Sequence, residues 1–175
     1  SSVTLRADNT ATGVGVVAFD SAATKITATG GVSVTYNPAS YTAATDFGPN
    51  AGAGTNISSY FLVNTLDQLQ SIPSAGNYVL TRDIDASSTA SWNSGAGFAP
   101  IVFSGYFNGQ GYTIWNLTIN RPTQNNIGLF ASNAGTIANI NLSGGTVRGG
   151  GPTGGLVGLN NGTLAGSRPN PSAFR

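Results

Sequence analysis

A segment of this chain comes close to repeating itself. Gly128-Leu129-Phe130, Asn133 and Gly135-Thr136-Ile137 return 27 residues later as Gly155-Leu156-Val157, Asn160 and Gly162-Thr163-Leu164. Upstream, Thr113-Ile114-Trp115-Asn116-Leu117-Thr118-Ile119 matches Thr136-Ile137-Ala138-Asn139-Ile140-Asn141-Leu142 at an offset of 23 residues. Repeats of roughly 20–50 residues mark stacked supersecondary units, none of which can bury its apolar face alone. The chain is therefore expected to form a solenoid, an architecture that favours binding or scaffolding over catalysis.

The register within each copy describes one coil. Leu117 and Ile119, like Ile140 and Leu142, alternate inward along a strand. Ile114 and Ile137 close the preceding strand, which leaves Asn116 and Asn139 at a corner between strands. Amides stacked at such corners can bond to the coil above and below, as in the Asn ladders of stacked strands. Asn133 and Asn160 recur in the same manner and are corner or ladder candidates too. Stacking coils about 4.8 Å apart pairs their backbone groups. The expected fold is all-β, a right-handed parallel β-helix, with the hand taken from the general rule for parallel crossovers.

Composition agrees with that fold. Charged residues make up 7% of the chain, against about 25% in a typical soluble domain. Glutamate is absent, Lys25 is the one lysine, and no acidic residue follows Asp85. The wet surface must then be covered by Thr, Ser, Asn and Gly, the covering of an all-β extracellular protein. A net charge of +1 without a basic cluster argues against nucleic acid. Cysteine and histidine are absent, which removes disulfides, thiol chemistry, the commonest metal ligand and the usual general base. No apolar run approaches the ~20 residues that cross a bilayer, and no signal peptide is present. Ser1 reads as a cut into a longer chain and the tail 168–175 as a second cut, so secretion is inferred from composition.

Along the chain, 1–36 alternates in short runs (Val3-Thr4-Leu5, Gly15-Val16-Val17-Ala18-Phe19, Lys25-Ile26-Thr27, Val32-Ser33-Val34-Thr35-Tyr36) whose period of two reads as short strands, expected to form coils of a β-helix. Residues 37–59, with Pro38 and Pro49, read as a loop or linker. Thr65 followed by Gln68 resembles a capping box. With Leu66, Leu69 and Ile72 on one side it predicts a short helix over about 65–71, stopped before Pro73; a simple turn is the alternative. Tyr78-Val79-Leu80 returns to strand, 86–99 is a Ser/Gly-rich loop, and 60–167 holds the repeats.

Particular residues carry a family resemblance. Gly155-Leu156-Val157-Gly158 matches the GLUG motif and Gly128-Leu129-Phe130 matches it in part, with Ala131 where the second glycine should stand. Leu80-Thr81-Arg82-Asp83-Ile84-Asp85-Ala86-Ser87, the stretch from Trp92 to Pro100, and Phe103-x-Gly-x-Phe107-Asn108-Gly109 add to it. Together they resemble the repeat region of large filamentous-haemagglutinin-like exoproteins of Gram-negative bacteria, over about 60–167 and more weakly over 1–36. The resemblance implies a secreted β-helical adhesin exported by two-partner secretion, with an outer-membrane transporter as partner during export. The family's secretion-domain signature is missing, and its repeats carry no catalytic residues to transfer.

Two constellations remain. Asp83 and Asp85, the one close carboxylate pair, are weak candidates for Ca²⁺ or for acid/base work on a polysaccharide. Calcium needs 6–8 oxygen ligands and glycoside hydrolysis a second carboxylate across the bond, and the alternative is a solvated strand edge with Asp85 capping the next turn. Seven of sixteen aromatics fall between 92 and 115. Phe103 and Phe107 share a parity that points inward, while Tyr106 points outward. Trp115 aligns with Ala138 and Ala165, and a position that accepts both Trp and Ala belongs outside. Trp115, Tyr106, Tyr112 and Trp92 are the ligand-binding candidates, because a flat apolar ring with a polar handle can stack on a sugar; Trp115 lying over the 86–99 loop is the alternative. The expected role is attachment to host or matrix glycans or to cell-surface receptors, without catalysis, cofactor, nucleic acid or membrane insertion. A polysaccharide lyase or hydrolase and a ligand-free stalk are the rivals.

Overall fold

A computed structural model describes residues 1–8, 14–41 and 45–169. The chain divides into two compact units, Ser1–Val63 and Asn64–Arg175. The residues after Pro169, most of the tail, lie outside the described ones.

Among the described residues the first unit contains three strands, β1 (Val3–Arg6), β2 (Val32–Tyr36) and β3 (Ile57–Val63), paired in parallel with Val3 opposite Val32 and Val32 opposite Ile57. Two of the expected strands are not formed. The runs at 15–19 and 25–27 make only single bridges, Gly15 to Asn37 and Ile26 to Ala51. Their side chains do alternate in burial through 14–20, but a strand needs a continuous ladder beside it and each run meets another chain segment at one point. The expected linker is also shorter than 37–59, because β3 begins at Ile57. A 3₁₀ turn occupies Gly48–Asn50. An aromatic cluster packs this unit, with Tyr36 against Phe61 at 5.1 Å and Phe47 against Phe19 at 5.8 Å.

The second unit opens with α1 (Leu66–Gln70). Thr65 caps it as the sequence predicts: its hydroxyl accepts from the Gln68 N–H at 3.1 Å. The Gln68 amide reaches back to the Asn64 N–H at 2.8 Å, one residue earlier than a standard capping box. After β4 (Asn77–Leu80) and β5 (Ile84–Asp85), the expected loop at 86–99 contains 3₁₀ turns over Ser87–Gly95, broken at Trp92–Ser94.

From here each coil has up to four strands. One coil holds β6 (Ile101–Phe103), β7 (Tyr106–Asn108), β8 (Thr113–Trp115) and β9 (Thr118–Arg121). The next holds β10 (Phe130–Asn133), β11 (Thr136–Ala138), β12 (Asn141–Ser143) and β13 (Thr146–Gly149). A further coil holds β14 (Val157–Asn160), β15 (Thr163–Ala165) and β16 (Arg168–Pro169), so Arg168 and Pro169 belong to the solenoid and not to a tail. Corresponding strands stack in parallel into four sheets: β6-β10-β14, then β4-β7-β11-β15, then β5-β8-β12-β16, and β9-β13. This is a parallel β-helix, the expected fold class.

The core follows from the register. Tyr78, Phe107 and Ile137 form one buried column. Ile84, Ile114 and Leu142 form a second, and Ile119 with Val147 a third. Phe103, Phe107 and Phe130 meet at centroid distances of 5.4–6.3 Å, so the inward parity expected of Phe103 and Phe107 is observed. Where the first coil lacks a strand, side chains stand in for backbone. The Gln70 amide accepts from the Ala99 N–H at 2.8 Å and donates to the Ala99 carbonyl at 3.0 Å. The buried Thr89 hydroxyl accepts from the Thr118 N–H at 2.9 Å and donates to Ala86 O at 2.6 Å.

Glycines stack where the first sheet turns into the second. Gly76, Gly105, Gly135 and Gly162 succeed one another from coil to coil, and a Cβ on any of the last three would overlap the carbonyl of the glycine below. The same carbonyls accept the N–H of Tyr106, Thr136 and Thr163 at 2.8–2.9 Å, which is why the backbones approach so closely. We expect Gly135→Val to cost about 3 kcal/mol in denaturant unfolding, because backbone on both coils must shift. Gly111→Ala, at positive φ with open space around its Cβ position, should cost only about 1–2 kcal/mol. Burial pushes the Tyr78 hydroxyl up to about 12 from 10.0. The unfolded chain therefore releases this proton first as pH rises, so the Tyr78 contribution is intact below pH 10.0 and is lost between 10.0 and about 12. Tyr78→Phe should flatten that part of the stability-versus-pH curve measured by thermal unfolding.

Candidate functional site

The third sheet, β5-β8-β12-β16, carries Asp85 and Trp115, with Asp83 just before its first strand. Ile84, Ile114 and Leu142 point inward, so their neighbours point out. One outward row runs from Asp83 through Thr113 and Asn141 to Arg168; the next runs from Asp85 through Trp115 to Ser143. The face is thus acidic at one end and basic at the other. Trp115 is 42% exposed between Asp85 and Ser143. The Trp115 carbonyl accepts the Ala86 N–H at 2.8 Å, so the start of the 86–99 segment is tied to its backbone while its side chain stays open.

The other aromatic candidates lie apart from it. Tyr106 is half-buried on the second sheet, in a row with Asn77, Thr136 and Thr163, and receives the Asn108 amide at 3.3 Å. Tyr112 sits at the end of the corner that separates the second sheet from the third, its carbonyl accepting Asn141 N–H at 3.1 Å. Trp92 stacks on Phe98 at 6.4 Å and an interplanar angle of 18°, within the 3₁₀ segment. The expected platform of several rings therefore reduces to Trp115 alone on its face.

Both carboxylates hold neighbouring chain. Asp83 accepts the Thr113 N–H at 2.7 Å, which ties one coil to the next. Asp85 accepts both the Ser87 hydroxyl and the Ser87 N–H, the latter at 2.9 Å. The Ser87 hydroxyl first, then its N–H and the Asn116 amide, hold the Asp85 carboxyl below the usual carboxylate range. Asp85 is thus a turn-capping anion that faces water. Among the described residues no three His, Cys, Asp or Glu side chains gather as a metal ion would require.

The asparagines fall into two arrangements. Asn133 is fully buried where the first sheet turns into the second; its amide donates to Asn160 Oδ1 at 2.8 Å, and its Oδ1 accepts the Gly135 N–H at 3.0 Å. One coil below, Phe103 occupies the same register position, so the ladder ends on a ring. Asn116 and Asn139 both adopt positive φ, at 57° and 51°, as corner residues do. They do not share a corner, however. Asn139 lies between β11 and β12 beside Gly166, whereas Asn116 lies between β8 and β9 beside Gly144. Trp115 accordingly pairs with Asp85 and Ser143, not with Ala138, while Ala138 does pair with Ala165. The offset of 23 relates the β8–β9 corner of one coil to the β11–β12 corner of the next, which do not stack on one another.

The GLUG-like segments enter the first sheet. Leu129 and Leu156 are buried, Phe130 pairs with Val157, and Gly128 stacks against the Gly154 carbonyl. Gly155 O accepts the Leu129 N–H at 3.0 Å. Gly158 has no space for a Cβ beside the Asn126–Ile127 backbone. At Ala131 the strand keeps register with β14 but slips against β6, a bulge of one residue. Sequence reasoning missed Gln70, Thr89 and Arg168. The first two act through side-chain geometry that no periodicity reports, and Arg168 had been assigned to the tail.

Over 124 residues the chain is 47% identical to halomucin of Haloquadratum walsbyi (strain DSM 16790 / HBSQ001), covering 65% of this chain and 1% of that relative's length. Halomucin is a large secreted, mucin-like archaeal protein, so the chain resembles one short stretch of it. No family model matches the chain, and no solved structure matches it.

The Asn133 ladder is open to a direct test. Asn133→Leu removes the partner of the Gly135 N–H and of Asn160 inside the stack, and should cost about 2 kcal/mol in thermal unfolding. Asn116→Ala, at an exposed corner, should cost about 1–2 kcal/mol through its positive φ without touching that ladder.

Proposed function

We propose that this chain is a rigid structural module of a large secreted surface protein, and that it binds glycans without catalysis at the third-sheet face around Trp115. The carrying observation is the open indole of Trp115, set in a Thr, Asn and Ser surface between a solvated carboxylate and a serine. A sugar ring can lie on that face while its hydroxyls reach Asp85 as acceptor and Asn116 or Ser143 as partners. Similarity to halomucin supports secretion and membership of a very long chain. The motif resemblance to filamentous-haemagglutinin-like adhesins supports attachment as the use of such a rod. Single contacts of this kind are weak, and repetition along a filament multiplies them.

The non-catalytic reading rests on the occupation of Asp83 and Asp85 by backbone and hydroxyl donors. A glycan array with the 175-residue chain is the primary experiment. Binding to at least one glycan class that falls about tenfold in Trp115→Ala is the expected result. Binding untouched by that change removes the platform, and no binding to any glycan or cell surface leaves a ligand-free stalk. Turnover of a polysaccharide that disappears in the Asp83→Asn, Asp85→Asn double variant would replace the proposal with an enzyme.

A further inference from the structure

A polar groove runs along the corner between the second and third sheets. It measures about 580 Å³ and is lined by the side chains of Asn108, Gln110, Asn139, Asn141 and Arg168 together with Gly111 and Gly166. The groove crosses coils, because its residues come from the corners of three successive ones. Every side chain that lines it is an amide or a guanidinium, and no acid is among them. In a chain with seven basic residues and no acid after Asp85, that composition selects for one sign of ligand charge.

The groove is held open by its own hydrogen bonds. Asn108 Oδ1 accepts the Gln110 N–H at 2.9 Å and the Asn139 amide at 3.3 Å, and Asn141 donates to the Gly111 carbonyl at 2.8 Å. These bonds orient three amides, those of Asn108, Asn139 and Asn141. Among the described residues the Gln110 side chain and the Arg168 guanidinium make no internal hydrogen bond. Arg168 lies directly above Asn141 in the outward row of the third sheet, so a cation stands beside a fixed amide at one end of the groove. A guanidinium offers paired donors matched to carboxylate or sulfate oxygens, and amides can both donate to and accept from sugar hydroxyls.

We infer that this groove binds an anionic polysaccharide, with Arg168 pairing a carboxylate or sulfate group and Gln110 and Asn141 contacting the adjacent hydroxyls. The inference goes beyond the Trp115 platform: it rests on the glycan-binding reading only for the class of ligand, and it uses separate residues. Polygalacturonate and dextran sulfate, with neutral dextran as control, are titrated calorimetrically into the 175-residue chain at low and high salt. At least one anionic polymer should bind, neutral dextran at least tenfold more weakly, and added salt should weaken the anionic complex. Arg168→Gln should lower anionic binding about tenfold, and Gln110→Ala should lower it less; both positions are exposed, and circular dichroism checks that each variant folds. Equal binding of neutral and anionic polymer, or anionic binding indifferent to Arg168→Gln, overturns the assignment, as does absence of binding. Trp115→Ala separates the two sites: anionic binding that survives it but fails in Arg168→Gln upholds the groove, and neutral-glycan binding that also survives it removes the platform. Loss of neutral binding alone in Trp115→Ala, with no anionic preference in the parent, upholds the platform and removes the groove.

Discussion

Parallel backbone pairing between coils is the constraint on which the rest of the second unit depends. Each strand must find its counterpart one coil away, so each coil must turn its corners at the same places. The stacked glycines at the first corner meet that demand, because carbonyl and N–H can bond there only if no Cβ intervenes. Residues at positive φ meet it at other corners: Asn139 and Gly166 at one, Asn116 and Gly144 at the next. Where the first coil has a helix or a 3₁₀ turn in place of a strand, Gln70 and Thr89 supply the missing donor and acceptor groups. A side chain that completes a ladder leaves no buried backbone group unpaired.

This arrangement divides labour between the inside and the outside of the coil. Inward residues are bound by packing, as the buried columns of Tyr78, Phe107 and Ile137 illustrate. Outward residues on a sheet whose backbone is already paired carry no such demand, so they are where chemistry can vary from coil to coil. On the third sheet that variation runs from Asp83 and Asp85 through Trp115 to Arg168. The low charge of the chain makes the few charges that remain more telling, since little else on that face competes for a ligand.

Much of the architecture was legible in the repeat spaced 27 residues apart, because it coincides with the stacking register that pairs Phe130 with Val157 and Ile137 with Leu164. The helix at 66–70 was legible too, since a cap is a local bond between neighbours. The runs at 15–19 and 25–27 misled because alternation describes a burial pattern, and strand formation needs a partner that lies far away in sequence. The aromatic candidates were legible as a cluster in sequence but not as a site. A few residues of corner between Tyr106 and Trp115 turn them onto different sheets.

By itself the sequence determined that similar units stack, which residues fill their core, and that the surface is polar with few charges. Periodicity and composition act locally, and both are present in the chain before it folds. Only the tertiary structure decided which corner each repeat occupies. A strand, a left-handed residue and another strand recur at several corners of one coil, so a local match cannot say whether two copies stack or merely follow one another. The answer depends on the length of chain around the whole circuit, bulges such as Ala131 included. That circuit sets Trp115 between Asp85 and Ser143 and brings Arg168 above Asn141.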